Sequence, residues 1–241
     1  MDRDTRKKRV LEIILKTHIE TGEPVGSRYI SDIMGLSSAT IRNIMAEIED
    51  EGYIEQPHTS AGRVPTERAY RLYVNSILGE EERNLFEIKK INETLYSRYR
   101  TFIEIMEHAS SVISTITSYT SFVIYPKNHI FTDGAYHILD YPEFKNIGKA
   151  KNLLRALDDK DELLDIMNEY ISSGTLNIRI GRENKKEEFS SCSIITASYK
   201  VGKEIVGGVG IIGPIRMKYK RVVPIIRHLA ESCSRMLEKI V

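Results

Sequence analysis

The sequence predicts an α+β protein: an N-terminal winged helix-turn-helix, a helical connector and a C-terminal α/β domain. Three observations carry this. Up to about residue 78, short amphipathic helix patterns are separated by Gly, Pro and Ser punctuation. Residues 79–118 are nearly devoid of Gly and Pro and read as helix, and from 119 onward β-rich runs alternate with helical ones. The expected domains are therefore 1–78, 79–118 and 119–241.

Taken in order, Thr5 is expected to cap a first helix running to Thr21, with Gly22 closing it and Val10, Ile13, Ile14 and Ile19 inward. Ser27 is expected to cap a second helix, Arg28 to Met34, with Ile30, Ile33 and Met34 inward and Leu36 inserted into the core after the Gly35 turn. Ser37 caps a third, ending near Glu51 before Gly52. Two helices joined by so short a turn form a helix-turn-helix. On the third, Ile41, Ile44, Met45 and Ile48 share one side at spacings of three and four. The other side is small and polar near its start (Ser38, Ala39, Arg42, Asn43, Ala46) and acidic near its end (Glu47, Glu49, Asp50, Glu51). Such a helix can put its N-terminal half into a major groove while its acids stay clear of phosphates. Tyr53–Gln56 and Arg63–Val64 then read as two short β segments around a Pro- and Gly-containing tip, a wing, and Thr66 caps a helix from Glu67 to Leu78.

Within this frame Arg42 and Asn43 are candidates for reading base edges, since Arg pairs bidentately with guanine and Asn with adenine. Ser37, Ser38 and Thr40 at the start of the same helix are placed to meet phosphates or a thymine methyl, and Ser27 and Arg28 open the second helix, whose unpaired amides suit a phosphate. In the wing, Thr59, Ser60 and Gly62 surround Arg63, which suits minor-groove entry or a backbone clamp. The alternative for Gly62 and Arg63 is a turn that needs a glycine's backbone angle and leaves the arginine in water. In the connector, Leu85, Ile88, Ile91, Leu95, Phe102, Ile103, Met106, Val112, Ile113 and Ile116 suggest an arm pairing with a second copy, as a two-fold DNA site requires; the alternative is a helix packing on its own chain.

The rest of the chain argues against other classes. Net charge is +1, so nothing at the level of bulk charge marks a nucleic-acid binder; motif and placement carry that reading. The two cysteines, Cys192 and Cys233, form neither a disulfide framework nor a zinc spacing, and read as buried thiols. The glycines at 202, 207, 208, 210 and 213 follow no phosphate-loop pattern and read as turns and close-packed strands, with Ile205–Val206 and Val209–Ile212 as β and a closing helix from Tyr219 to Ile240. Asp158, Asp159, Asp161 and Glu162 read as a solvated helix cap. No catalytic constellation is present, so neither enzyme activity nor a cofactor or metal is expected. Without a leader pattern or an apolar stretch long enough to span a bilayer, the chain is expected in the cytoplasm.

Three strings, Ile19 to Arg28, Ser37 to Asn43 and Glu55 to Arg63, closely resemble the HrcA family of bacterial heat-inducible repressors. The C-terminal part resembles it at Tyr141–Phe144, Arg179–Gly181, Gly210–Met217 and the helix after Tyr219. Ile44 stands where the family usually has an acid, and the chain is short between Pro126 and Phe131, where the family has further strands and a dimerisation subdomain. The resemblance implies a reduced GAF-like C-terminal domain and a homodimer on double-stranded DNA at an inverted-repeat operator of chaperone genes. It also implies promoter occlusion, release on heat stress and modulation by a GroEL-type chaperonin. The competing expectation is a short paralogue gated by a small ligand in its C-terminal domain.

Overall fold

The computed structural model describes residues 2–78, 85–98, 101–125 and 128–238. The chain is α+β and divides into two compact units, Met1–Glu81 with Ile215–Lys218, and Glu82–Pro214 with Tyr219–Val241.

In the first unit, α1 spans Arg3–Thr21. Its cap is Asp2, whose carboxylate accepts from Thr5 N at 2.7 Å, and not Thr5 as the sequence suggested. An acid is at least as good a cap as a hydroxyl, and one was available a turn earlier. Gly22, at φ +73°, closes the helix with its N–H on His18 O, and Val10, Leu11, Ile13, Ile14, Leu15 and Ile19 are buried. α2 spans Ser27–Met34 and starts from Gly26 without a side-chain cap; Ser27 is its first residue, not its cap. Of its expected inward residues Ile30 is buried, whereas Ile33 is exposed and Met34, like Leu36 in the turn, is half-buried. So short a helix has one fully inward position, and Tyr29 and Ile33 line its outer side. Gly35 (φ +64°) turns the chain into α3, Ser38–Asp50, where Ser37 Oγ accepts from Thr40 N at 3.1 Å. Ile41, Ile44, Met45 and Ile48 are buried, so position 44 is core in this chain.

The hairpin is two residues a side: β1 (Ile54–Glu55) and β2 (Val64–Pro65), paired Ile54 to Pro65 and Glu55 to Val64. An isolated antiparallel bridge between Val25 and Arg63 adds a third rung. α4 (Glu67–Ile77), capped by Thr66, buries Ala69, Tyr70, Val74 and Ile77, and Tyr70 Oη lies 2.6 Å from His18 Nδ1 of α1.

The second unit opens with α5 (Leu85–Arg98) and α6 (Phe102–Thr117), the latter begun by a capping box in which the side chains of Thr101 and Glu104 each accept from the other's backbone N–H. Ile88 and Ile91 are buried; the side chains of Leu85 and Leu95 lie outside the described residues. On α6, Phe102, Met106 and Ile113 are buried within this chain, as the self-packing alternative has it, while Ile103 is exposed and Val112 and Ile116 are half-buried; Ile105, Ala109 and Ser110 complete the inward face.

β3 (Thr120–Ile124) and β4 (Ile130–Asp133) form a hairpin; α7 (Ile147–Asp158), α8 (Lys160–Ser172), β5 (Leu176–Ile180), β6 (Cys192–Val201), β7 (Glu204–Pro214) and α9 (Tyr219–Leu237) follow. The five strands make one antiparallel sheet in the order β4-β3-β7-β6-β5. Between β3 and β4, where the sequence looked short, Tyr125 N donates to His129 O at 3.1 Å. One face of the sheet presents Phe122, Ile124, Cys192, Ile194 and Ile212 to Phe144, Leu153, Leu163, Met167 and Tyr170. Strand alternation places Val123, Ile195, Val209 and Ile211 on the other face, where Ser121 Oγ donates to Ser110 O of α6 and Ser193 bonds the Tyr219 hydroxyl at the start of α9.

β7 is a single long strand, not the two short ones expected, since Gly207 and Gly208 lie inside it. A Cβ at Gly207 would stand 2.2 Å from both Ile124 O and Tyr199 Oη, so of the two expected roles, turn and close-packed strand, this glycine takes the second. Asp159 is the N-cap of α8, accepting from Glu162 N at 3.1 Å, which accounts for the acidic cluster as a cap. Among the described residues no group of His, Cys, Asp or Glu is arranged to hold a metal, and no helix is long and apolar enough to cross a membrane.

Cys192 and Cys233 are buried, and burial pushes both thiols up, Cys233 to about 12. A thiol held in its protonated form is a poor nucleophile. Native protein at pH 8 is therefore expected to leave both cysteines unlabelled by Ellman's reagent, with two equivalents titrating on denaturation.

Candidate nucleic-acid interface

The sequence candidates converge on the start of α3 and the hairpin. Ser37 is spent on capping: its Oγ accepts the Thr40 amide and lies 2.8 Å from Thr40 Oγ1. Ser38 Oγ lies 3.0 Å from Ser27 Oγ, tying the first turn of α3 to the first turn of α2. That contact gives Ser27 and Ser38 a positioning job between the two helices, which no capping pattern foretold. Arg28 is exposed at the start of α2. Beyond these, Arg42 and Asn43 project from α3 into solvent, with Arg42 Nε at 3.3 Å from Ser38 O. The outer face of α3 is thus one arginine and one asparagine flanked by small side chains.

Three of the four acids at the end of α3, Glu47, Glu49 and Glu51, meet cations from two sides. Arg3 and Lys7, one turn apart on α1, meet Glu47 in the last turn of α3 and Glu51 at its C-cap: Arg3 and Lys7 both pair with Glu47, and Lys7 also with Glu51. The Arg3 hydrogen bond holds the Glu47 carboxyl below its ordinary 4.5, and the hydrogen bond to Glu51 raises Lys7. Glu49 accepts from Arg63 Nε at 2.9 Å. Such exposed pairs add little stability. Their consequence is electrostatic: three carboxylates beside the arginine-bearing face have a cation within reach, which reduces repulsion of a polyanion. The matched i, i+4 spacing of two bases and two acids was a usable signal in the sequence.

At the hairpin, Thr59 and Ser60 are exposed at the tip. Gln56, which sequence reasoning passed over, donates from Nε2 to Thr59 O and Ala61 O at 2.9 and 3.0 Å and closes the loop on itself. Gly62 is not among the glycines with positive φ, so the backbone-angle explanation does not hold. It is glycine because a Cβ would stand 2.5 Å from the carbonyl carbon and oxygen of Val25. Arg63 exchanges both backbone hydrogen bonds with Val25, each 2.9 Å, and its side chain is only 22% exposed, turned to Glu49 and not left in water.

Residues 127–223 match the family model described as the HrcA protein C terminal domain. The heat-inducible transcription repressor HrcA of Ruminiclostridium cellulolyticum is 30% identical, over 98% of this chain and 98% of that protein. That of Thermoanaerobacter pseudethanolicus is also 30% identical, over 100% and 98%. The first alignment spans 341 positions against a chain of 241 residues, so it crosses a long stretch that this chain lacks. A crystal structure of a hypothetical protein superposes with a TM-score of 0.81 over 98% of this chain and 99% of the other at 17% identity, a likeness of fold. With relatives at this identity matching nearly end to end, the chain belongs to the HrcA family of heat-inducible transcription repressors.

Proposed function

We propose that this protein represses heat-shock genes by occupying an inverted-repeat operator as a homodimer and leaving it on heat stress. The observation that carries the DNA-binding part is the exposed Arg42–Asn43 face of α3, with Glu47, Glu49 and Glu51 nearby each paired to a cation and the hairpin root tied to the same helix through Arg63. On this reading residues 1–78 are a winged helix-turn-helix and α3 lies in the major groove, Arg42 and Asn43 reading base edges. Thr40, Arg28, Thr59 and Ser60 meet the backbone, and Ser27, Ser37 and Ser38 set the first turns of α2 and α3. Residues 79–118 serve as a connector and dimerisation arm, and residues 119–241 as a reduced GAF-like domain whose limited stability times release. A GroEL-type chaperonin that refolds this domain would keep the repressor active. No catalytic step, cofactor or small-molecule effector enters the cycle.

The test is footprinting on chaperone-operon promoter DNA, followed by anisotropy titrations of the protected palindrome and a scrambled duplex, with the mass in solution measured alongside. A protected palindrome, preferred at moderate salt by a dimer, is the expected result; equal affinity for the scrambled duplex would sink the reading. Arg42→Ala is expected to lower the ratio of specific to nonspecific affinity by about tenfold, the loss of one bidentate base contact.

A further inference from the structure

Resting on the reading of the first unit as a DNA-binding domain, we propose that Arg63 is a positioning residue. With Glu49 it forms a clamp that fixes the root of the wing to α3, leaving the duplex to α3 and the wing tip. Four observations converge on it. The Arg63 side chain is turned to Glu49, with Nε 2.9 Å from Oε2, and the two side chains are 22% and 32% exposed. The backbone of the same residue makes both hydrogen bonds of the bridge to Val25, and Val25 is itself buried. Gly62, immediately before it, sits too close to Val25 for any side chain. Gln56 closes the loop beyond, so the wing is held at root and tip by separate groups. An arginine reaching for a phosphate needs a mobile, outward side chain; this one is held at both its backbone and its guanidinium.

The two roles predict opposite signs for one substitution. If Arg63 clamps, Glu49→Gln weakens binding, because the ion pair that places the wing is lost. If Arg63 contacts phosphate, Glu49→Gln tightens binding, because a competing carboxylate is removed. The experiment compares the full chain, Glu49→Gln, Arg63→Ala and the swap Glu49→Arg with Arg63→Glu, titrating each against the footprinted palindrome at several salt concentrations. Amide exchange of the DNA-free proteins is followed at Val25 and across residues 57–65. The clamp predicts that Glu49→Gln and Arg63→Ala each weaken affinity about threefold to fivefold with the salt slope kept. It also predicts that both speed exchange in the wing, and that the swap restores affinity and protection together. Tighter binding by Glu49→Gln, a salt slope reduced by about one in Arg63→Ala, or wing exchange unmoved by either change overturns it. Should the swap fail to fold, the sign for Glu49→Gln still decides. Should the wild-type chain prefer no duplex, the DNA reading fails on its own, and exchange in the free protein still judges the clamp.

Discussion

Gly62→Ala is expected to cost the first unit about 2–4 kcal/mol and to lower operator affinity by roughly a hundredfold. The added methyl carbon would lie 2.5 Å from the carbonyl carbon and oxygen of Val25 and 2.8 Å from Gly26 N. All three atoms are backbone, so no side chain can swing aside. Relief comes only by parting the hairpin from Val25, which surrenders the two 2.9 Å hydrogen bonds of the Val25–Arg63 bridge. The entropy that alanine removes from the unfolded chain, about 0.4–1 kcal/mol, is too small to offset this. A parted hairpin carries Thr59 and Ser60 away from where α3 places the duplex. Gly26→Ala is the control: a Cβ there meets nothing within 4 Å. Urea melts and anisotropy titrations of both variants should separate the two positions. Equal behaviour would mean that the close approach at Gly62 is not what holds the hairpin.

How much of this was legible in the sequence depends on the range of the interaction responsible. Periodicity is local, and it placed α1, α3 and α4 with their buried faces; the caps at Ser37 and Thr66 follow from a hydroxyl before an amphipathic run. Where two local signals competed, the sequence misled: Asp2 and Thr5 both suit a cap, and the helix took the earlier one. Contacts between distant segments were mostly invisible. Nothing near Arg63 announces that its partner is Glu49, and neither a DNA contact nor the alternative of a turn angle foretold the close approach at Gly62, because its neighbour, Val25, is far away in sequence. The same holds in the second unit. In one dimension Gly207 and Gly208 fit a turn or a close-packed strand equally, and only the neighbouring strands decide for close packing. The Arg42–Asn43 face was legible because it is defined by one helix alone; the neutralisation that makes its acidic neighbour tolerable needed two.

Gly210→Ala is expected to lower the thermal midpoint of the second unit by about 5–10 °C, a cost of about 2–3 kcal/mol. Gly210 lies in β7, the middle strand of five, paired with Phe122 on one side and Thr196 on the other. A Cβ would stand 2.3 Å from Phe122 Cζ and 2.4 Å from Ile195 O. The first obstacle is a fully buried ring packed into the main core, the second is backbone of the adjacent strand, so neither yields without disturbing the sheet. This position is remote in sequence from every residue proposed to meet DNA, which makes it a probe of heat sensing. If repression ends because this domain melts, the temperature at which operator is released should fall in parallel with the calorimetric midpoint. Affinity for the palindrome well below both temperatures should stay unchanged. Release at the wild-type temperature despite a lowered midpoint would move the heat-sensitive step out of the sheet domain and into the DNA-binding unit or the dimer contact.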